Sequence, residues 1–183
     1  MRRTGGKGRG TPRRVPRLSH LDARGRARMV DVSAKPATLR EALAAGSIRM
    51  SREAFRAVRR GRVAKGDAVA LARIAGIAAA KRTADLIPLC HVIPLEHAEV
   101  EVRFRADGRT IEAQARVRAR WSTGVEMEAL TAVAASLLTL YDMAKAFDRG
   151  MTLGEIRLLR KSGGRSGEYD RTGWAVRGRA GRR

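Results

Sequence analysis

The chain has 183 residues, of which 44% are hydrophobic, and it carries a formal net charge of +21. This length and hydrophobic content suit one globular domain with a sizeable core. A single cysteine, Cys90, excludes an intramolecular disulfide and favours a reducing compartment such as the cytoplasm. No uninterrupted apolar run approaches the roughly 18 residues of a membrane-spanning helix, and the basic start lacks the apolar core of a secretory signal.

The positive charge is concentrated at the two ends of the chain. Residues 1–17 contain seven Lys or Arg and no acid, and residues 171–183 contain five and no acid. We predict that both segments are disordered basic tails around a folded domain of residues 18–170. Two interpretations stay open for the tails, which are non-specific binding to a polyanion such as a phosphate backbone and simple solubilisation.

The first part of the predicted domain contains one extended segment and two helices. Residues 29–33 (MVDVS) alternate in polarity, which predicts a short strand or an extended arm. Residues 37–45 (ATLREALAA) are mostly strong helix formers and predict a helix. Ser51 is a typical N-cap and Gly61 a typical stop, so a second helix is predicted over residues 52–60.

The following segment is rich in small residues. A tight polar turn, residues 65–67 (KGD), precedes residues 68–84, in which alanine dominates. These small side chains predict a helix that packs closely against another backbone. Two prolines then predict an extended course for residues 85–97, because each removes a backbone donor and restricts the residue before it.

The second half of the chain contains strand patterns. Residues 99–105 and 111–117 alternate in polarity on either side of Asp107-Gly108, which predicts a β-hairpin. One face of this hairpin is apolar and the other charged, so helices should cover a single side. Residues 155–159 predict a further strand. Helices mixed with antiparallel strands predict an α+β fold whose sheet has helices packed on one face.

The longest predicted helix runs from Trp121 to Arg149, and Gly150 ends it. Its apolar residues recur at gaps of three and four, which predicts a buried face made of Met127, Leu130, Ala134, Leu137 and Tyr141. The polar residues are predicted to lie off that face; they are Glu126, Glu128, Asp142 and Lys145.

Asp142 and Lys145 allow two interpretations at this point. Their spacing of three residues places them on one side of a helix, where such pairs are commonly solvated ion pairs of small energetic weight. An acid and an amine within reach of each other are also what proton transfer requires.

Glu128 and Asp142 lie 14 residues apart, close to four helical turns and about 21 Å along a helix axis. One small ligand cannot contact both within a single helix. If both belong to one kind of site, we expect that site to draw on two copies of the chain.

Two further segments carry candidate binding groups. The loop KSGGRSG (residues 161–167) combines three glycines with two cations, so its amides and its Lys161 and Arg165 side chains suit phosphate oxygens, although its residue order is not that of a Walker loop. His91 and Cys90 lie side by side, but no second ligand pair stands at zinc spacing, so we predict no metal site. His91 is a substrate contact or a satisfied core histidine, and nothing marks Cys90 as an activated nucleophile.

Eight motifs in a fixed order make the chain resemble a known family. They are MVDVSAK, KGD, ARIAGI, AAKRT, LIPLCH, TGVEMEALT, YDMAK and KSGGRSG. Together they resemble the molybdenum cofactor biosynthesis protein C family of cyclic pyranopterin monophosphate synthases. The resemblance covers roughly residues 18–170 and leaves both basic tails outside it.

The resemblance implies a ferredoxin-like α+β subunit, a homohexamer built as a trimer of dimers, and active sites at dimer interfaces. It also implies a lyase reaction in the cytoplasm, in which (8S)-3′,8-cyclo-7,8-dihydroguanosine 5′-triphosphate becomes cyclic pyranopterin monophosphate and diphosphate. No cofactor is implied, and a divalent cation accompanying the triphosphate is left open.

The resemblance also implies roles for individual residues. Asp142 would act as general base and Lys145 as general acid. The resemblance therefore favours proton transfer over a solvated ion pair as the interpretation of these two residues. The implied substrate-binding residues are Arg40, Lys65, Leu89, Cys90, His91, Glu126, Met127, Glu128 and Lys161. The cations among them would neutralise the departing diphosphate, and Glu128 would accept hydrogen bonds from the guanine-derived edge.

Three positions depart from the family pattern. Arg165 stands where lysine is usual, and arginine is a poor proton donor. Ala144 replaces a frequent cysteine, and Val92 replaces a common proline. A rival hypothesis is a basic RNA- or ribosome-associated module, which the net charge favours but the 4% aromatic content disfavours.

Overall fold

The computed structural model of the protein describes residues 24–165 and 167–171. The predicted tails, residues 1–17 and 171–183, therefore lie outside the described residues except for Arg171. The chain divides into two compact units, residues 1–30 and 31–183. In the described part of the first unit, a turn places Gly25 at φ +74°, a backbone conformation that glycine adopts readily.

The second unit contains five strands and four helices among its described residues. In chain order they are β1 (Thr38–Arg49), α1 (Arg52–Arg59), α2 (Ala68–Ala80), α3 (Thr83–Leu86), β2 (His97–Phe104), β3 (Thr110–Trp121), α4 (Glu126–Ala144), β4 (Thr152–Ser162) and β5 (Tyr169–Asp170). The strands form one sheet in the order β2-β3-β1-β4-β5, and every neighbouring pair is antiparallel.

This topology confirms the predicted α+β fold. The first four strands and the intervening helices follow a β-α-β-β-α-β order, with β1 and β3 at the centre of the sheet, which is the ferredoxin-like arrangement. The helices cover one face, where Ile48, Ile111, Ala113, Ala115 and Val117 are fully buried. The predicted hairpin is confirmed as β2 and β3, and the strand predicted over residues 155–159 is part of β4.

The helix predicted over residues 37–45 is wrong, because this segment is the start of β1. Its alanines and leucines favour a helix locally, but β1 is hydrogen-bonded along both edges, to β3 and to β4, and this pairing overrides local propensity. Small residues are needed here since α4 packs directly above: a Cβ on Gly46 would lie 2.9 Å from Val133 and 3.0 Å from Leu137.

Of the two alternatives predicted for the segment before β1, a short strand or an extended arm, the strand is wrong. Residues 29–32 contain no strand ladder. The Asp31 carboxylate accepts hydrogen bonds from the Ser33 amide at 2.9 Å and the Ser33 hydroxyl at 2.7 Å, and a turn over residues 33–35 follows. This local side-chain bonding competes with strand pairing.

The predictions for α1 and α2 are confirmed in type. Ser51 caps α1 by accepting from the Ala54 amide, and Asp67 caps α2 by accepting from Val69 and Ala70. The second helix ends at Ala80, four residues earlier than predicted, and the one-turn helix α3 occupies part of the segment that was expected to be extended.

The close approach predicted for α2 is confirmed at Gly76. A Cβ there would lie 2.9 Å from the Ala132 carbonyl oxygen of α4 and would collide with the Ser136 hydroxyl. Ser136 is fully buried and donates to the Ala72 carbonyl at 2.9 Å. The two helices are therefore joined backbone to backbone by small residues and one hydroxyl.

Helix α4 differs from its prediction in start and face. It begins at Glu126 without a side-chain cap, not near Ser122. Its fully buried stripe is made of Ala129, Ala132, Val133, Ser136, Leu137, Leu140 and Ala144, whereas Met127 is 37% exposed and Glu128 is only 3% exposed. The prediction was wrong at both residues. Leu137 is fully buried as predicted, whereas Leu130, Ala134 and Tyr141 are only partly buried, because α2 and the sheet pack against a side of the helix lined mainly by small residues.

Within the described residues, α4 is the helix that is long and apolar enough to cross a membrane, by length and composition alone. Half of this segment is buried inside the protein, against α2 and the sheet. It is the core helix of the domain.

Candidate functional site

The carboxyl end of α4 holds three ionisable side chains in direct contact. Asp142 Oδ1 lies 2.7 Å from Lys145 Nζ, one helical turn further along. Asp142 Oδ2 lies 2.7 Å from Lys65 Nζ, which comes from the loop before α2. Lys65 also donates to the backbone oxygen of Asp142 at 3.2 Å. All three side chains are about half exposed, so a ligand can reach them from solvent.

Two ammonium groups on one carboxylate change its acid–base state. Hydrogen bonds from Lys145 and Lys65 lower the pKa of Asp142 from its ordinary value to about 2. The cluster therefore carries one net positive charge at neutral pH. One cation is enough to form a stabilising ion pair with Asp142, and the second adds repulsion between like charges. The arrangement is therefore better explained by binding of an anionic ligand than by a contribution to folding stability.

The amino end of α4 carries a second cluster. Glu126 Oε1 lies 3.0 Å from Lys161 Nζ of β4. Beside them, Arg40 of β1 donates from Nε to the Trp121 carbonyl at 3.2 Å and from Nη2 to the Ser122 carbonyl at 3.4 Å. Arg40 thereby fixes the connection between β3 and α4.

The glycine-rich loop after β4 closes onto the same arginine. Gly163 and Gly164 have φ of +91° and +78°, which glycine adopts readily. A Cβ on Gly163 would collide with the Leu39 carbonyl, and one on Gly164 would collide with the Arg40 guanidinium. Glycine is therefore required by space as well as by backbone conformation, and the loop backbone rests on Arg40. Arg165 follows and is exposed.

Glu128 is the buried acid of this end of α4. It is 3% exposed, and its Oε2 has no hydrogen-bond partner among the described residues. Burial, with a further contribution from the charge of Glu126, raises the pKa of Glu128 to about 7. A carboxyl group in this state exchanges a proton near neutral pH.

The segment after α3 lies within electrostatic range of Glu128. Burial and the Glu128 charge both raise the pKa of the Cys90 thiol, so the thiol stays protonated at neutral pH, in keeping with the prediction that it is not an activated nucleophile. Leu89, Cys90 and His91 are half-buried, and the Cys90 amide donates to the Ile87 carbonyl.

A shallow groove adjoins the second cluster on the side of β4. Its walls combine apolar and charged side chains, namely Glu126, Leu130, Ile156, Arg157, Leu158, Lys161, Tyr169 and Arg171. Across the described ranges, 24–165 and 167–171, no three His, Cys, Asp or Glu side chains converge as metal ligands.

The predicted residues thus fall into two groups at opposite ends of α4. Lys65, Asp142 and Lys145 meet at one end, and Arg40, Glu126, Glu128 and Lys161 lie at the other, with Cys90 near Glu128. Within one helix the separation of Glu128 and Asp142 is about 21 Å, so one copy does not bring these two acids together. Sequence reasoning missed the contact between Lys65 and Asp142, because no local spacing links residues 77 positions apart.

Comparisons with known proteins agree with this arrangement of motifs. The model of the MoaC family matches residues 29–164. A protein of Thermomicrobium roseum named cyclic pyranopterin monophosphate synthase is 58% identical over 154 residues, which cover 84% of this chain and 93% of that protein. Proteins of the same name from Roseiflexus sp. (57% over 152 residues; 83% and 96% covered) and Heliobacterium modesticaldum (55% over 156 residues; 84% and 97% covered) are also similar.

Proposed function

This chain belongs to the MoaC family, and we propose that it converts (8S)-3′,8-cyclo-7,8-dihydroguanosine 5′-triphosphate into cyclic pyranopterin monophosphate and diphosphate. The reaction is an early step of molybdenum cofactor biosynthesis and makes the protein a diphosphate-releasing lyase. The curated relatives that carry the synthase name cover more than four fifths of the chain, which supports the assignment.

The observation that carries the proposal is the contact of Asp142 with both Lys65 and Lys145. Opening the five-membered ring of a reduced purine and reclosing it to a pterin requires repeated proton transfers, and a carboxylate beside ammonium groups provides them. With a pKa of about 2, Asp142 is a weak base while both lysines hold it. If phosphate oxygens of the substrate bind one of the two ammonium groups in place of Asp142, the pKa of Asp142 rises and the carboxylate becomes a stronger base.

The amino end of α4 supports the phosphate part of the reaction. A ribose-derived hydroxyl attacks the α-phosphorus and diphosphate leaves, so negative charge grows on the leaving oxygens. Lys161 and the amides of the loop after β4 are suited to neutralise it, with Arg165 as a further cation. Arg40 hydrogen-bonds the connection between β3 and α4, and the backbone of that loop packs against its guanidinium, so its role includes positioning.

Glu128 is suited to hold the base-derived part of the substrate. Its Oε2 is buried without a hydrogen-bond partner among the described residues, and its pKa is about 7. It therefore accepts a hydrogen bond from an N–H edge when ionised and donates one when protonated. Leu89, Cys90, His91 and Met127 would form the remaining contacts around this edge.

Because the two groups of candidate residues lie at opposite ends of α4, we infer that each active site is shared between two copies of the chain. The Glu128 end of one subunit and the Asp142 end of another would together enclose one substrate, in a homohexamer arranged as a trimer of dimers. We place the reaction in the cytoplasm and expect no resident cofactor; chelation with EDTA tests whether a divalent ion enters with the triphosphate.

The direct test is turnover of the cyclised triphosphate by the purified full chain, with diphosphate and the fluorescent oxidised pterin measured together. We expect both products in equal amounts from the wild type, and a large loss in Lys145→Ala with an unchanged circular dichroism spectrum. Absence of both products from a folded wild-type protein supplied with authentic substrate would overturn the proposal.

A further inference from the structure

Helix α1 carries a concentration of positive charge that the proposed reaction does not use. Residues 49–62 contain six arginines and one acid, Glu53. Ala54, Phe55, Ala57 and Val58 turn inward and are buried, whereas Arg52, Arg56, Arg59, Arg60 and Arg62 are all exposed. We call these five residues the α1 arginine face.

The geometry of α1 aligns three of these arginines. Residues 52, 56 and 59 follow one another at gaps of four and three, so they lie on one side of the helix. Their positions span about 10.5 Å along the helix axis. Arg56 Nε donates to the Arg52 carbonyl at 3.1 Å, which holds the middle side chain along this row.

The charges of this face are not neutralised within the described residues. The ion pairs found there involve other cations, and none includes a member of the α1 arginine face. Glu53 likewise pairs with none of them. Like charges at these spacings repel one another and weaken a helix. The row of Arg52, Arg56 and Arg59 therefore destabilises α1, and an anionic partner would relieve this repulsion.

We propose that the α1 arginine face binds the phosphate backbone of a nucleic acid without sequence preference. Arginine suits phosphate because its planar guanidinium makes paired hydrogen bonds to two oxygens. A row of three regularly spaced arginines complements a polymer with a regular row of phosphates. The two basic sequence segments at the chain ends, with twelve further cations, add charge of the same sign.

The composition of the face determines the kind of recognition. Its exposed side chains are arginines without an aromatic among them, so it lacks a platform for base stacking. Binding would therefore be electrostatic and strongly dependent on salt. This inference does not rest on the proposed synthase activity, since α1 contributes no residue to either cluster at the ends of α4.

The test compares binding of a fluorescein-labelled single-stranded DNA of about 20 nucleotides to the full-length wild type and to the triple variant Arg52→Gln, Arg56→Gln, Arg59→Gln. Fluorescence anisotropy is measured between about 50 and 200 mM salt. A matched variant, Arg103→Gln, Arg109→Gln, Arg120→Gln, removes the same charge from exposed positions on β2, β3 and their connection.

We expect the α1 variant to bind DNA at least about tenfold more weakly than the wild type. The slope of the logarithm of the binding constant against the logarithm of the salt concentration should fall in magnitude by about two, since each of the three lost phosphate contacts contributes about 0.7. The matched variant should change the slope by less than half as much. Equal losses in both variants, or an unchanged slope in the α1 variant, would overturn the proposal, because net charge or the chain ends would then account for binding.

Two further readouts separate the phosphate backbone from other anions. A poly-glutamate peptide of equal charge should compete poorly for the wild type; stronger competition than by unlabelled DNA would overturn the proposal in favour of an acidic protein. Synthase turnover should be unchanged in the α1 variant. Loss of turnover with unaltered DNA binding would also overturn it, since the face would then serve the triphosphate substrate.

Discussion

Lys65 and Asp142, 77 residues apart in sequence, are joined by a 2.7 Å contact between Nζ and Oδ2. This contact ties the loop before α2 to the end of α4, where Lys145 occupies the other carboxylate oxygen. It converts an ordinary helical pair into a three-residue cluster with a net positive charge. The cluster combines a proton acceptor with two cations, which is what a phosphorylated substrate undergoing ring rearrangement requires.

Asp142→Asn should remove most of the turnover while leaving the fold intact. Loss of a positioned acid–base group commonly lowers a rate by about 10²–10⁴-fold, and the residue is exposed, so thermal stability should change little at neutral pH. Because the pKa of Asp142 is lowered to about 2, any stabilising effect of its ionised form is present above its ordinary pKa and lost only as the pH falls towards 2. Turnover and a thermal melt measure the two effects.

Glu41→Gln is the matched control for that variant. Glu41 is also a carboxylate beside two cations, 2.9 Å from Arg116 and 3.9 Å from Arg118, but it lies outside both clusters. Its loss should leave turnover within a few-fold of wild type. Equal losses in Asp142→Asn and Glu41→Gln would contradict a catalytic role for Asp142.

Glu128 should make stability fall as the pH rises through neutrality. Its pKa is raised to about 7 in the folded protein from an ordinary 4.5, so the folded state binds its proton more tightly than the unfolded state does. The folded protein therefore loses stability between about pH 4.5 and 7, by up to about 3 kcal/mol at 1.36 kcal/mol per pKa unit. Urea unfolding at pH 5 and pH 8 measures the difference.

Glu128→Gln provides the comparison, because glutamine has a similar shape and does not titrate. Between pH 5 and 8 the wild type should lose more unfolding free energy than this variant. The same loss in both proteins would show that Glu128 does not titrate in this range.

Gly164→Ala should weaken substrate binding more than Gly167→Ala. Both glycines have positive φ, +78° and +66°, so alanine strains the backbone at either position. A Cβ on Gly164 collides with the Arg40 guanidinium, whereas one on Gly167 meets no atom of the described residues within 4 Å. Steady-state kinetics should show a rise in KM of about tenfold or more for Gly164→Ala alone. Equal kinetics for the two variants would contradict a positioning role for Arg40.

Gly76→Ala should destabilise the domain. Its Cβ has no room between the Ala132 carbonyl, Ser136 and Val100, and overpacking of this kind commonly costs about 1–3 kcal/mol. The higher helix propensity of alanine offsets up to about 1 kcal/mol of this. A net cost of about 1–2 kcal/mol lowers Tm by about 2–8 °C at this chain length. Gly154→Ala should melt close to wild type, because its Cβ would meet none of the described atoms within 4 Å. A Gly76→Ala protein as stable as that control would contradict the close helix contact.

The sequence predicted the β2–β3 hairpin because one face of it is buried and the other charged, which leaves an unmistakable alternation. It did not predict β1, since Ala42, Ala44 and Ala45 are good helix formers and become strand residues only through pairing along both edges. It also assigned the wrong face to α4. Glu128 is buried there while Met127 is exposed, and polarity alone predicts the reverse.

The sequence supplied the candidate site residues, but it did not show which of them lie together. Spacing along one helix joined Asp142 to Lys145, and the order of motifs identified the remaining candidates. The contact of Lys65 with Asp142 and the support of the glycine-rich loop by Arg40 depend on how distant segments pack. Local sequence rules do not contain that information.

The central claim is that each active site combines the Asp142 end of one copy with the Glu128 end of another. Its most direct test mixes two full-length variants that should each be nearly inactive alone: Asp142→Asn, which lacks the acid–base carboxylate, and Glu128→Ala, which lacks the substrate-binding carboxyl. The subunits are allowed to exchange, and diphosphate release from the cyclised triphosphate is measured. Random pairing makes half of the dimers hybrids, each with one intact site of two, so about a quarter of wild-type activity should return. A control mixture of Asp142→Asn with Lys145→Ala, altered at the same end, should stay inactive. Failure of the first mixture to regain activity, despite demonstrated exchange, would contradict the shared site.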